Sequence, residues 1–181
     1  QMKGIYKRFG SSLALDNVSL DLYPGETLAL MGENGAGKTT LMKILYGLYQ
    51  ASDGSIFING EEQPKKRTPE TAIESGIGMI HQHFMLIRSF TVTENIALGL
   101  SKNKSHLLEL GTVRDKIIEI SEMYHLPVSP DLKISELSIA EQQRVEIINA
   151  LIRNTDILVL DEPTAVLTPQ ETEGLFLSLK E

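Results

Sequence analysis

Apolar positions recur every second residue near the start of the chain and at a spacing near 3.6 further on, and this change of period predicts where strands give way to helices. Ser19-Leu20-Asp21-Leu22 alternates, Pro24-Gly25 is a turn, and Thr27-Leu28-Ala29-Leu30-Met31 reads as a buried strand, so residues 2–31 are strands joined by turns. Leu41, Ile44, Leu45 and Leu48 mark one face of a helix over Lys38–Tyr49. Ser52-Asp53-Gly54 ends it, Ser55–Ile58 is a strand, and Asn59-Gly60 is a tight turn. A short helix over Pro69–Ser75 stops at Gly76, and Ile77–Ile80 is a buried strand. Residues 92–126 are mostly helical, with a break around Gly99–Ser105. Ser138–Arg153 is another helix, Ile157–Leu160 another buried strand, and Pro169–Lys180 a final helix. Strands, then α/β, then a helical block, then α/β again describe an α/β chain with a helical subdomain inserted into its core.

Composition narrows the class. The 181 residues are 41% hydrophobic and 23% charged, which suits a globular domain with a water-facing surface. Net charge is -7, and an acidic chain lacks the basic footprint of a nucleic-acid binder. With no cysteine, disulfides and cysteine-based zinc sites are impossible. The start shows no apolar signal region, and no apolar run approaches the ~20 residues that span a bilayer, so any membrane crossing would fall to another chain. Lys65-Lys66-Arg67, the only charge run, reads as a solvated loop, and His81 and His83 as packed or exposed residues with no metal cluster around them.

Gly32-Glu33-Asn34-Gly35-Ala36-Gly37-Lys38-Thr39 matches G-x-x-x-x-G-K-[ST] in full, between an apolar strand and an amphipathic helix. Such a loop turns backbone N–H groups toward phosphate oxygens, and the following helix offers its N-terminus to the anion. Lys38 is placed to reach the β- and γ-phosphates of ATP, Thr39 to ligate Mg2+, and Thr40 to join the nucleotide-binding set. Further on, Ile157–Leu160 ends in Asp161 and Glu162, at the strand end where open α/β sheets bind ligands. Asp161 would hold the metal and Glu162 would act as general base on the attacking water.

Leu137-Ser138-Ile139-Ala140-Glu141-Gln142-Gln143-Arg144-Val145 resembles the Leu-Ser-Gly-Gly-Gln signature of ABC transporter ATP-binding cassettes. Gln82 stands at the place of the Q-loop glutamine, Phe9-Gly10 resembles the A-loop, and Thr91–Ile96 resembles a stretch common after the Q-loop. The phrasing around Glu141–Ile147 and Glu162–Pro169 is most like the N-terminal cassette of simple-sugar and nucleoside importer ATPases. The resemblance implies a P-loop NTPase core with an antiparallel β subdomain and an inserted helical subdomain. Residues 1–181 would be a single ATP-binding domain incomplete at the C-terminus, with 1–82 and 154–181 forming the core and 83–153 the helical part. It further implies ATP hydrolysis coupled to solute import and a head-to-tail dimer with a second cassette. Transmembrane permease subunits would be direct partners and a solute-binding protein an indirect one, with the chain peripheral on the cytoplasmic face. Phe9 would stack on adenine (a core aromatic being the alternative), Gln82 would sense Mg2+ or the lytic water, and Ser138, Ala140 and Glu141 would face the partner's γ-phosphate.

The resemblance has departures. Ile139 and Ala140 replace the signature glycines, Glu141 replaces glutamine, and Thr168 stands where the family has an aspartate. The switch-loop histidine has no counterpart before Glu181, since His81, His83, His106 and His125 all precede Asp161. These departures predict a weak signature half-site and poor hydrolysis by this chain alone. They also keep two rivals in view: a regulatory, poorly hydrolysing cassette and a non-transport ABC ATPase.

Overall fold

The computed structural model describes residues 1–80, 84–100, 109–161 and 169. It divides into two compact units, 1–77 and 78–181.

In the first unit β1 (Met2–Phe9) and β2 (Ser12–Leu20) form an antiparallel hairpin, and β3 (Asp53–Ile58) and β4 (Glu61–Glu62) extend it to the order β2-β1-β3-β4. The β3–β4 turn is the Asn59-Gly60 pair, both at positive φ (51° and 84°), the mirror-image geometry that suits twisted hairpins. Met2, Ile5, Leu15, Ile56 and Ile58 turn inward and are buried, as are Leu41, Ile44 and Leu45 of α1 (Lys38–Leu45). The helix ends three residues before the apolar spacing does. Gly47 takes φ 82°, its N–H donates to Ile44 O at 3.1 Å, and Leu48 N–H donates to Lys43 O at 2.9 Å, a Schellman closure that this glycine permits. The short α2 (Pro69–Glu74) starts on a reciprocal Thr68–Thr71 capping box with proline in its first turn.

Two expectations fail here. Thr27–Met31 is not a buried strand: among the described residues the segment has no ladder partner, Leu28 is 41% exposed and Met31 92%. An apolar run becomes a strand only where neighbours supply hydrogen bonds along its edges, and the four strands of this unit form a sheet without it. The charge run is not wholly solvated either. Lys65 and Lys66 are exposed, but Arg67 is only 3% exposed. Gln50 draws it in by clasping its main chain: Arg67 N–H donates to Gln50 Oε1 at 3.1 Å and Gln50 Nε2 donates to Arg67 O at 2.5 Å. Among the described residues Arg67 Nε, Nη1 and Nη2 have no hydrogen-bond partner, and burial pulls this guanidinium below its ordinary value.

In the second unit β5 (Ile77–Ile80, whose first residue closes the first unit) pairs with β6 (Ile157–Leu160). α3 (Val92–Leu100), α4 (Leu110–Met123) and α5 (Ile139–Leu151) pack together around Val92, Ile96, Val113, Ile117, Val145 and Ile148. Both strands and all three helices fall where the period of the sequence puts them. The break expected around Gly99–Ser105 and the helix expected over Pro169–Lys180 lie largely outside the described residues.

A buried, unpaired charge opposes folding, and an apolar side chain of similar length removes the penalty. Arg67→Met is therefore expected to raise stability by about 1 kcal/mol or more, measured by thermal or urea unfolding. A clear loss of stability would mean that the guanidinium has a partner in solution.

Candidate functional site

Gly32–Ala36 form an exposed loop, and Gly37–Thr40 enter α1 half-buried. Ala36 N–H donates to Glu33 O at 3.2 Å, which turns the main chain back toward the helix. Gly37 is the helix N-cap at φ 90°, and it supplies no capping side chain. A Cβ built there meets Leu15 Cδ2 at 2.6 Å and Ala14 O at 2.8 Å, so β2 presses on the loop at the one residue that a side chain cannot occupy. Lys38 folds back over the loop, and its Nζ donates to Gly32 O at 2.6 Å and Glu33 O at 2.9 Å. One ammonium therefore lies at the mouth of a turned main chain, at a helix N-terminus whose first turn has no acidic residue. Helix-end electrostatics and the lysine charge both favour an anion there, and these residues fit a nucleotide's phosphate tail. Thr39 and Thr40 continue the first turn of α1.

Phe9, at the end of β1, is 44% exposed and so is no core aromatic. Its ring packs edge-on against Tyr49, with centroids 5.3 Å apart, and the Lys7 ammonium lies 4.8 Å from its centre. Tyr49 was not among the sequence candidates, and only its aromatic character four residues past α1 hints at this pairing.

In the second unit Asp161 follows β6 directly, and its N–H donates to Ile80 O at 3.2 Å, which continues the pairing with β5. Gln82 and Glu162 lie outside the described residues. Ser138 is the N-cap of α5 and closes a capping box with Glu141. Ser138 N–H donates to Glu141 Oε2 at 2.8 Å, Ser138 Oγ–H donates to the same oxygen at 2.7 Å, and Glu141 N–H donates to Ser138 Oγ at 3.3 Å. These bonds hold the Glu141 carboxyl below its ordinary 4.5. Ala140 lies inside the helix, buried and outside the positive-φ residues, so its methyl causes no backbone strain. Arg144 Nε donates to Pro127 O at 2.9 Å and ties α5 to the preceding loop.

Glu146 was not singled out by the sequence. It is 9% exposed on α5, its Oε1 accepts from Met85 N–H at 2.8 Å, and desolvation lifts its carboxyl above 4.5. Met85 is 77% exposed. Its main chain is held while its side chain faces out. Among the described residues there is no group of three or more metal-ligating side chains, and no helix is long and apolar enough to cross a membrane.

The ABC transporter family profile matches residues 15–165. The chain belongs to this family. It is 51% identical over 180 residues to the nucleoside import ATP-binding protein NupA of Lactococcus lactis subsp. cremoris, covering 99% of this chain and 35% of that protein. It is 45% identical over 181 residues to the ribose import ATP-binding protein RbsA of Caldanaerobacter subterraneus subsp. tengcongensis, covering 99% of this chain and 36% of that one. This chain thus spans about a third of the length of these relatives. It superposes on the crystal structure of the ADP conformation of MJ1267, an ATP-binding cassette of an ABC transporter, with a TM-score of 0.86 and 30% identity, covering 99% of this chain and 75% of that one. The P-loop cassette fold expected from the sequence is therefore the fold observed.

The two α5 carboxylates predict opposite pH behaviour. Glu141 has a lowered folded value, so its contribution to stability is present above 4.5 and is lost as pH falls through that lowered value. Glu141→Ala should cost about 1 kcal/mol near neutral pH, and its deficit against the parent should shrink in acid, as read by unfolding across a pH series. Glu146 has a raised folded value, so the unfolded chain releases its proton first and stability falls as pH climbs from 4.5 through the raised value. Glu146→Gln keeps an acceptor for Met85 N–H and removes the charge. Its melting temperature should gain on the parent's as pH rises above 4.5, and a pH-independent difference would contradict this.

Proposed function

We propose that this chain is the ATP-binding and ATP-hydrolysing part of an importer for a nucleoside, working with transmembrane permease subunits on the cytoplasmic face of the membrane. The observation that carries the reading is the Gly37–Lys38 corner, where β2 forces a glycine and the lysine ammonium closes the loop. The solute class rests on the 51% identity to a nucleoside import protein. A simple sugar is the second reading, favoured by the 45% identity to a ribose import protein.

In this reading residues 1–181 act as one ATP-binding domain, with 83–153 as its helical part. Lys38 and the N–H groups at the start of α1 bind the phosphates, and Phe9 offers an exposed ring to the base. Thr39, Asp161 and Gln82 are the residues assigned to Mg2+. Bound Mg-ATP supplies the phosphoanhydride whose hydrolysis does work, and Glu162 would take a proton from the attacking water. Ser138 and Glu141 head the helix that would face a second cassette in a head-to-tail dimer. A solute-binding protein would deliver the nucleoside to the permease.

Lys38→Ala in the full-length protein should weaken Mg-ATP binding by about tenfold or more, read by calorimetry, without lowering the melting temperature. Glu162→Gln should retain ATP and lose turnover. In cells lacking the full-length protein, uptake of labelled nucleoside should fall while ribose uptake persists. The reverse pattern selects the sugar reading, and unchanged ATP binding by the Lys38 variant would overturn the proposal.

A further inference from the structure

Residues 84–87 belong to no helix or strand, so their main-chain groups need partners from elsewhere. Two buried polar side chains on two different helices supply them. Glu146 of α5 accepts from Met85 N–H at 2.8 Å. Asn95 of α3 is 8% exposed; its Oδ1 accepts from Ile87 N–H at 2.7 Å, and its Nδ2 donates to Ile87 O at 3.1 Å and to Thr91 O at 2.9 Å. Met85 (77% exposed) and Ile87 (38% exposed) turn outward, while Leu86 between them packs against the helical core. Here the fold commits buried polar groups to fix a main chain from which Met85 and Ile87 face outward.

Position 146 is unusual on its helix. Gln143, Glu146, Ile147 and Ala150 follow one buried row of α5 at i, i+3, i+4 and i+7, beside Val145 and Ile148, where an apolar residue would pack at less cost than a carboxylate. A local rule broken in this way, with one specific partner as the return, marks a site that does something beyond packing. Glu146 lies eight residues past Ser138, on the same rigid helix, so Ser138 and Met85 are linked by one helix and one hydrogen bond.

We propose that Glu146 is a positioning residue: its bond to Met85 N–H ties the stretch Met85–Ile87 to the signature helix, so that a displacement of α5 is carried into that stretch. The proposal rests on the transport reading above, in which α5 faces the nucleotide of a second cassette and work is passed to a permease. Asn95 holds the other end of the stretch to α3, and the stretch then moves with the helical block as one body. Glu146 makes no contact with nucleotide in this role and acts only through the main chain of Met85.

The test compares Glu146→Met, which fills the space without an acceptor, and Glu146→Gln, which keeps one, in the full-length protein assembled with its permease. Glu146→Met should speed hydrogen exchange at the Met85 amide about tenfold and leave Val145 and Ile148 amides unchanged. It should leave the KM for ATP within about twofold of the parent and cut the stimulation of ATPase by solute about fivefold or more. Glu146→Gln should restore both the slow exchange and the stimulation. Equal stimulation of the Met variant and the parent would overturn the positioning role alone. A joint fall of kcat, core protection and melting temperature in both variants would reduce Glu146 to a structural residue and overturn it too. Parent ATPase that no solute stimulates would overturn the transport reading and this role with it.

Discussion

Two demands meet at Gly37. The chain must leave the loop with φ near 90° to start α1, and β2 approaches so closely that Leu15 and the Ala14 carbonyl occupy the space of any side chain. Either demand alone selects glycine; together they fix the corner between β2 and the glycine-rich loop. The hairpin of β1 and β2 is thus more than a lid on α1. It sets the height at which the helix begins, and the helix start sets where Lys38 stands. From there the ammonium can reach back to the Gly32 and Glu33 carbonyls, which holds the loop in a turned conformation. The first turn of α1 carries no acidic residue, and its macrodipole adds to the lysine charge. Preorganisation of this kind lowers the cost of ordering a loop around a polyphosphate.

Most of this was legible in the sequence because the decisive signals are local. The Gly-x-x-x-x-Gly-Lys-Thr spacing, the Asn59-Gly60 turn, the Ser138 cap and the apolar strands at Ile77 and Ile157 depend on neighbours within a few residues. What the sequence did not show depends on contacts distant along the chain. Thr27–Met31 has the composition of a buried strand, but composition does not supply ladder partners. Arg67 sits in a basic run that suggests solvent, yet Gln50, seventeen residues earlier, clasps its main chain and carries the side chain inward. Met85 looks like a packing residue, and Glu146, sixty-one residues later, holds its backbone so that the side chain is left outside. In the last two cases a single side chain overrides the local pattern.

The two glutamates of α5 show how far environment outweighs residue type. Glu141 and Glu146 are five residues apart on one helix, and both hold a backbone N–H through a carboxylate oxygen. Glu141 stands at the wet helix end, where two donors from Ser138 stabilise its charge. Glu146 is buried, and the loss of water outweighs its one backbone donor. The carboxylate at the helix start also bears on the departure from the family signature. A helix N-terminus attracts an anion because its first N–H groups and the dipole are uncompensated. With Glu141 folded back onto Ser138, the helix carries its own anion in that position. A phosphate from a second cassette would then compete with a tethered carboxylate for the Ser138 N–H and hydroxyl, whereas a glutamine there would present no charge to displace. If α5 faces a second cassette as proposed, a weak half-site would have its physical cause in the charge of Glu141 rather than in the methyl of Ala140, which the helix accommodates without strain.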